Sequence, residues 1–459
     1  MPSTFPGRFF FNKPLYCLLA TVAPVSLGLF AFCVRMTGAE IGAAPPGAVS
    51  INAPPPQLAF PGAEGFGAFA RGGNGGRKIY VTTTADTKRE GSLRWALEQS
   101  GPRIVEFQVG GVFELDFNLR VTEPFLTLDG SAAPDGGVTL KDGALNIFGT
   151  HDVIVRHIRV RPGDEASLGK GRWRGHPRPV KASDAITVKD CADVIVDHVS
   201  ASWSTDETIS VTRSRRVTVQ QCFITEPLAN PALHLENGVE ISHAYGALVE
   251  GDEVSYLKNY FAYFKIRGPQ LAAPSEGGRV RTAAVNNLVA FYENSGTRVK
   301  ASHLSADFLV CSNLYRHPLK PQAPDIHVIL EKIKSKGLTR PPPETTIGHT
   351  RIYLSGNLGP QRPQGTLDEW AGVRVDFDAA VAGKLRLATP PFAVQPLTVL
   401  AVEAVEDYVL QNAGATLPKR DPIDERLVRQ YRAGAGKIIQ SQDEVGGYAA
   451  LRSAPAKEQ

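Results

Sequence analysis

The sequence predicts an all-β fold, a parallel β-helix in which short strands coil around one core and short helices cap it. Three features carry that prediction: a strand-like triplet that recurs through the middle of the chain, a residue at a fixed offset after each triplet, and an abundance of turn formers.

The triplets are Val153-Ile154-Val155, Val194-Ile195-Val196, Val217-Thr218-Val219, Val254-Ser255-Tyr256, Thr282-Ala283-Ala284 and Phe308-Leu309-Val310. Five positions after each starting residue stand Ile158, Val199, Cys222, Asn259, Asn287 and Asn313, although the intervals between starts vary from 23 to 41 residues. Self-similarity on this scale marks stacked supersecondary units. Runs this short and this β-branched exclude helical repeats, and a propeller needs several strands per unit. A coil with one rung per turn, its insertions bulging out as loops, fits. The shared offset of Asn259, Asn287 and Asn313 predicts a corner where Asn takes the left-handed conformation and each amide bonds the next. The 44 glycines and 34 prolines supply turns for an all-β chain rather than a bundle.

Ser92 opens a short helix over 93–98, suited to covering the first rung. At the other end, residues 399–412 read as an amphipathic helix closed by Gly414, and Asp421-Pro422 opens another. Such caps matter because an open rung edge templates aggregation. The proline-rich stretch 317–395 reads as loops wrapping the coil.

At the N-terminus, Arg8 and Lys13 precede an apolar run from Leu15 to Val34, followed by Arg35 and Thr37-Gly38-Ala39. Residues 1–39 thus read as an export signal cut after Ala39, or, uncleaved, as a membrane anchor. Cys33 lacks the preceding small residue of a lipoprotein site. Residues 40–57 form a Pro/Ala-rich linker and 58–459 the folded body. The formal net charge of +4 falls to +1 once Arg8, Lys13 and Arg35 are removed, so global charge excludes little. Locally, the stretch 151–181 holds Arg156, Arg159, Arg161, Lys170, Arg172, Arg174, Arg178 and Lys181, a run that attracts polyanions or is simply a solvated loop. It carries no nucleic-acid motif. Cys17 and Cys33 lie in the export segment. Cys191, Cys222 and Cys311 show no metal spacing, and their odd number argues against a disulfide framework.

Several motifs together resemble one family. Phe60-Pro61-Gly62-Ala63-Glu64-Gly65-Phe66-Gly67, Gly91-Ser92-Leu93-Arg94, Gly101-Pro102-Arg103-Ile104-Val105-Glu106-Phe107, Asp193 to Ser200, Ser202-Trp203-Ser204-Thr205-Asp206-Glu207, Arg267-Gly268-Pro269 and the tail from Asn412 to Gly447 resemble the pectate lyases of polysaccharide lyase family 1. The likeness spans about residues 58 to 448. It implies a right-handed parallel β-helix, a calcium cleft on one sheet face, and cleavage of α-1,4-linked galacturonate by removal of the C5 proton and expulsion of the C4 oxygen.

The resemblance also assigns residues. Asp184 and Asp206 match calcium ligands, and Glu207 adjoins them; oxygen donors of this kind suit Ca2+, which assists by polarising the substrate carboxylate. Arg267 matches the arginine that takes the C5 proton, an awkward base whose pKa exceeds about 12 and which favours alkaline conditions. A third family acid aligns with Ser210, and a second arginine is replaced near Gln270 and Ala272. Lys265, Arg298 and Lys300 are the cations that compensate, and His243 lies in a loop that faces the cleft in similar proteins. Asp197-His198 reads as fold support rather than catalysis.

The expected partner is an acidic polysaccharide, with no nucleic acid, a membrane only if the N-terminal segment is retained, and a monomer located outside the cytoplasm. Two other readings compete. A β-helix hydrolase needs paired carboxylates as acid and base, and neither an Asp-Asp pair nor Gly-His-Gly is present. A non-catalytic carbohydrate-binding β-helix would treat Ser210 and Gln270 as lesions.

Overall fold

In the computed structural model the described residues are 57–169 and 183–451, except 237–238, 274–277, 303, 332, 336–337, 341–348 and 366. The stretch read as an export signal or anchor, nearly all of the stretch read as a linker, and Lys170 to Lys181 of the basic run lie outside them. Among the described residues no helix is long and apolar enough to cross a membrane.

The predicted triplets all form strands, and they stack in parallel. Val153, Val194, Val217 and Val254 align rung on rung, as do Thr282 and Phe308 beyond them. First and third positions point inward: Val153, Val155, Val194, Val196, Val217, Val219, Val254 and Tyr256 are all fully buried. The period of two along each strand and the rung repeat together generate one continuous core. Two of the strands, Glu207–Gln220 and Tyr245–Leu257, run through a corner, with an irregularity between Thr212 and Arg215, and so join two faces into one 17-stranded sheet. An 8-stranded parallel sheet closes the coil. This is the right-handed parallel β-helix that the sequence predicts.

At the corner after each triplet the prediction needs one correction. The left-handed residue is not the asparagine but its predecessor: His157, His198, Gln221, Lys258, Asn286 and Ser312 all have φ between 49° and 56°. The next residue then turns inward, so Asn259, Asn287 and Asn313 are fully buried. Asn259 Nδ2 donates to Asn287 Oδ1 at 3.0 Å, Asn287 Nδ2 to Asn313 Oδ1 at 2.9 Å, and Asn313 Nδ2 to Asn357 Oδ1 at 3.0 Å. Each amide also donates to a backbone carbonyl of the neighbouring rung, which satisfies groups that would be costly to bury alone.

The middle, outward positions of the triplets are covered too. Ala63, Ala68 and Ala70 pack on Ile154 and Ile195. Gly67 N donates to Thr218 Oγ1 at 2.8 Å and Phe66 N to Ser255 Oγ at 3.2 Å. A Cβ on Gly67 would stand 2.3 Å from the Val194 carbonyl oxygen, so the segment lies this close only because the residue is glycine.

The helix α1 (Leu93–Glu98) buries Leu93, Ala96 and Leu97 in the main core, with Ser92 accepting from Trp95 N as its cap. The stretch 317–395 is more ordered than expected. It contributes the strands Ile326–Leu330, Thr350–Ser355 and Val373–Val375, and the helix α2 (Ala379–Leu385), whose Val381 and Leu385 enter the same core. The later helices α3 (Val405–Asn412) and α4 (Pro422–Arg432) pack instead on the flank of the 8-stranded sheet, against Phe223, Tyr260, Leu288 and Leu314. The first turn of the helix expected over 399–412 is a 3-10 turn, Val402–Ala404.

The three described arginines of the basic run are structural. Arg161 is fully buried and donates to Asp421 Oδ2 at 2.6 Å and to Asp424 Oδ1 at 2.8 Å, while Arg159 Nη1 donates to the Gly136 carbonyl at 2.9 Å. Arg156 Nε donates to Asp197 at 2.8 Å. Arg159 and Arg161 hold the tail against the coil, and Arg156 ties one rung to the next. Cys191, Cys222 and Cys311 are free thiols. Burial pushes the Cys311 thiol up to about 12, so it behaves as a small apolar group.

Candidate active site

The strands Ile186–Lys189, Glu207–Gln220, Tyr245–Leu257, Gln270–Ala272, Thr297–Ala301 and Ile326–Leu330 make one face of the coil. With Ile186, Ile209, Val249, Leu271, Val299 and Val328 turned into the core, the alternate positions Thr187, Ser210, Leu248, Gln270, Arg298 and His327 line up across it. The acids sit at the edge of this face, where the chain enters the strands. Thr205 N and Asp206 N both donate to the Ser183 carbonyl, at 3.0 and 3.2 Å, and Ala185 N donates to the Thr208 carbonyl at 3.1 Å. The turn bearing Asp184 is thereby stitched onto the turn bearing Asp206.

Asp184, Asp206 and Glu207 each offer an oxygen within 4.8 Å of the others. Burial and then the neighbouring Asp206 carboxylate push Asp184 up to about 7, offset by hydrogen bonds from the hydroxyls of Thr187, at 2.7 Å, and Ser210. Carboxylates crowd together in this way at a cost that a divalent cation removes, and an all-oxygen set is what calcium prefers. The donor set therefore fits Ca2+. Ser210, where a third acid was expected, supplies a neutral hydroxyl to Asp184 instead.

Arg267 reaches the same corner from the next rung. Its backbone is left-handed, with φ of 74°, a strained conformation for a residue with a Cβ. Ala247 N donates to its carbonyl at 2.6 Å, an approach allowed because a Cβ on Gly246 would fall 2.2 Å from that oxygen. Gly268 packs on the Phe264 ring, where a Cβ would meet Cζ at 2.3 Å. These contacts give the Arg267-Gly268-Pro269 motif its physical meaning: the two glycines let the backbone press into the sheet and hold the arginine outward. The guanidinium lies 4.4 Å from the Tyr245 ring centroid and is ion-paired with Glu207. Burial is the largest influence on it and, with Arg298 nearby, brings it down to about 10 against the opposing pull of Asp206 and Asp184.

The remaining expected residues divide. Arg298 stands one rung beyond Gln270 in direct register, half-buried, and so presents its positive charge beside the position where a second arginine was expected. Lys265 Nζ donates to Ser242 Oγ, while its backbone N–H donates to the Ala244 carbonyl at 2.8 Å. Lys300 lies two residues further along the face and pairs with Glu331 at 3.3 Å. His243 is buried rather than open to the cleft. Its Nδ1 is 3.0 Å from Asp206 Oδ1, and its ring lies 3.7 Å from that of Tyr245. Asp197 and His198 sit away from this corner: Asp197 is buried, accepts from Gln220 at 2.7 Å and Arg156 at 2.8 Å, and is held below the usual carboxylate range by His198 and Arg156 despite its burial.

Sequence reasoning missed Tyr245 and His234. Tyr245 lies two residues from His243 in the sequence, and that proximity was its signal. His234 did not, because only the folded loop brings it to His243.

An alignment over 396 residues makes the chain 30% identical to the probable pectate lyase C of Aspergillus flavus, covering 85% of this chain and 81% of that protein. The chain belongs to the pectate lyase family. It is a polysaccharide lyase. The probable pectate lyase C of Aspergillus oryzae is likewise 30% identical over 398 residues, with the same 85% and 81% coverage. No family model matches the lyase. Among solved structures, the pectate lyase of Acidovorax avenae subsp. citrulli is similar, with a TM-score of 0.50 at 12% identity over 82% of this chain and 98% of that one, which bears on the fold alone.

Proposed function

We propose that this lyase cleaves α-1,4-linked polygalacturonate by calcium-assisted β-elimination, with Arg267 as the base and Asp184, Asp206 and Glu207 as the calcium ligands. The observation that carries the reading is the meeting of Arg267 with three carboxylates at one corner of a sheet face. Bound calcium lowers the cost of charge that builds on the substrate carboxylate as C5 loses its proton. Arg267, already brought down to about 10, is the group positioned to accept that proton. Tyr245 holds its guanidinium from below, and Glu207 holds it in place until substrate arrives. Arg298, with Lys265 and Lys300, adds positive charge that attracts a polyuronide and orients its carboxylates.

The export segment read at residues 1–39 would deliver the enzyme outside the cytoplasm, where such a polymer is met. Incubation with polygalacturonate tests the reading: a rise in ultraviolet absorbance from unsaturated uronide ends is expected. Reducing ends without that absorbance would instead identify a hydrolase, and binding without product a non-catalytic module.

A further inference from the structure

We propose that His234, His243 and Asp206 form a second metal site, selective for a borderline divalent ion such as zinc, that shares Asp206 with the oxygen-only set. His243 Nδ1 lies 3.0 Å from His234 Nδ1 and 3.0 Å from Asp206 Oδ1, and the three side chains offer ligand atoms within 4.8 Å of one another. Hydrogen bonding alone serves this arrangement poorly. With a proton on His243 Nδ1, one hydrogen must be divided between two acceptors. Without it, the nitrogen lone pair faces a carboxylate. A tetrahedral ion with bonds of about 2.0–2.1 Å sets neighbouring ligand atoms roughly 3.3 Å apart, so these contacts need open by only a few tenths of an ångström.

The donor chemistry separates the two sites. Two imidazoles and one carboxylate suit zinc, cobalt or nickel, whereas Asp184, Asp206 and Glu207 offer oxygen alone. The fold also holds the His234 backbone and the His243 ring in place. Ile241 N donates to the His234 carbonyl at 3.0 Å, and the His243 ring is wedged against Tyr245. The other histidine cluster, His157 with Asp197 and His198, is no equivalent, because both Asp197 oxygens already accept from Gln220 and Arg156. Because both ions would draw on the one Asp206 carboxylate and their charges repel at short range, each weakens the binding of the other. That competition rests on the calcium reading; the existence of the site does not.

The test uses tag-free protein in calcium-free buffer, titrated with CoCl2 while the visible spectrum is followed, and with ZnCl2 by calorimetry. One ion per chain is expected, with an intensified low-symmetry cobalt band. His234→Gln and His243→Gln should each weaken binding at least about tenfold, with circular dichroism confirming that both variants fold. Asp184→Asn should leave the cobalt band in place, and added CaCl2 should weaken the apparent zinc affinity. A spectrum that stays that of the aqueous ion, or folded histidine variants that bind as wild type does, would overturn the site. Calcium without effect on zinc affinity would overturn the sharing of Asp206. None of these readouts depends on lyase activity, so failure here and failure of the proposed reaction are distinguishable.

Discussion

The guanidinium of Arg267 lies 4.4 Å from the centre of the Tyr245 ring, one rung away, and this contact sets where the proposed base can reach. A buried cation over an aromatic face is stabilised by about 1–2 kcal/mol and is also fixed in direction. Tyr245→Leu should therefore lower kcat roughly tenfold, the rate equivalent of that energy, with a smaller change in KM. Tyr245→Phe keeps the ring and should stay near wild type. Equal losses in the two variants would show that the hydroxyl, not the ring, is what matters.

Metal dependence follows from the crowding of Asp184, Asp206 and Glu207. Excess chelator should abolish cleavage of polygalacturonate, and added calcium should restore it. Asp184→Asn should raise the calcium concentration needed for half-maximal rate by about tenfold or more, since hard cations follow ligand charge. Full activity in chelator would remove calcium from the mechanism.

The asparagine ladder is a stability device. Asn287 accepts from Asn259, donates to Asn313 and to the Tyr256 carbonyl, and is fully buried. Asn287→Ala leaves several of these groups without partners and should destabilise the fold by about 3 kcal/mol or more, read as a lower midpoint in denaturant.

His157 predicts a pH effect. Burial, then the adjacent His198, lowers it to about 4 in the folded chain, against about 6.5 when unfolded. The unfolded state therefore binds more protons between these values, so its contribution to stability is complete above about pH 6.5 and is lost as pH falls to about 4, up to about 3 kcal/mol. Urea unfolding of wild type and His157→Gln across this window should show a shallower slope in the variant. Identical slopes would mean that His157 does not titrate on unfolding.

Much of this was legible in the sequence. The triplets and the residue five positions later determine both strand and corner, because a β-branched period of two followed by one left-handed residue is a local property. The same rule extends to Ile352-Tyr353-Leu354 with Gly356 and Asn357, which the proline-rich surroundings of 317–395 disguised. Asp184, Asp206, Glu207 and Arg267 were singled out as candidates from short motifs, and the fold brings them to one corner. The burial of His243, its partner His234, and the use of Arg159 and Arg161 to anchor the tail were not legible. They depend on loop closure and on contacts between residues more than 250 positions apart.

The most direct test is the steady-state rate of Arg267→Lys on polygalacturonate in saturating calcium. Lysine keeps the charge but not the planar fork that rests on Tyr245 and pairs with Glu207, so the group that must approach C5 is displaced. A fall in kcat of at least about a hundredfold is expected, the scale of a lost general base, with calcium affinity and melting temperature close to wild type. Turnover at near wild-type rates would contradict the account and place the base elsewhere, with Lys265 and Lys300 the next positions to substitute.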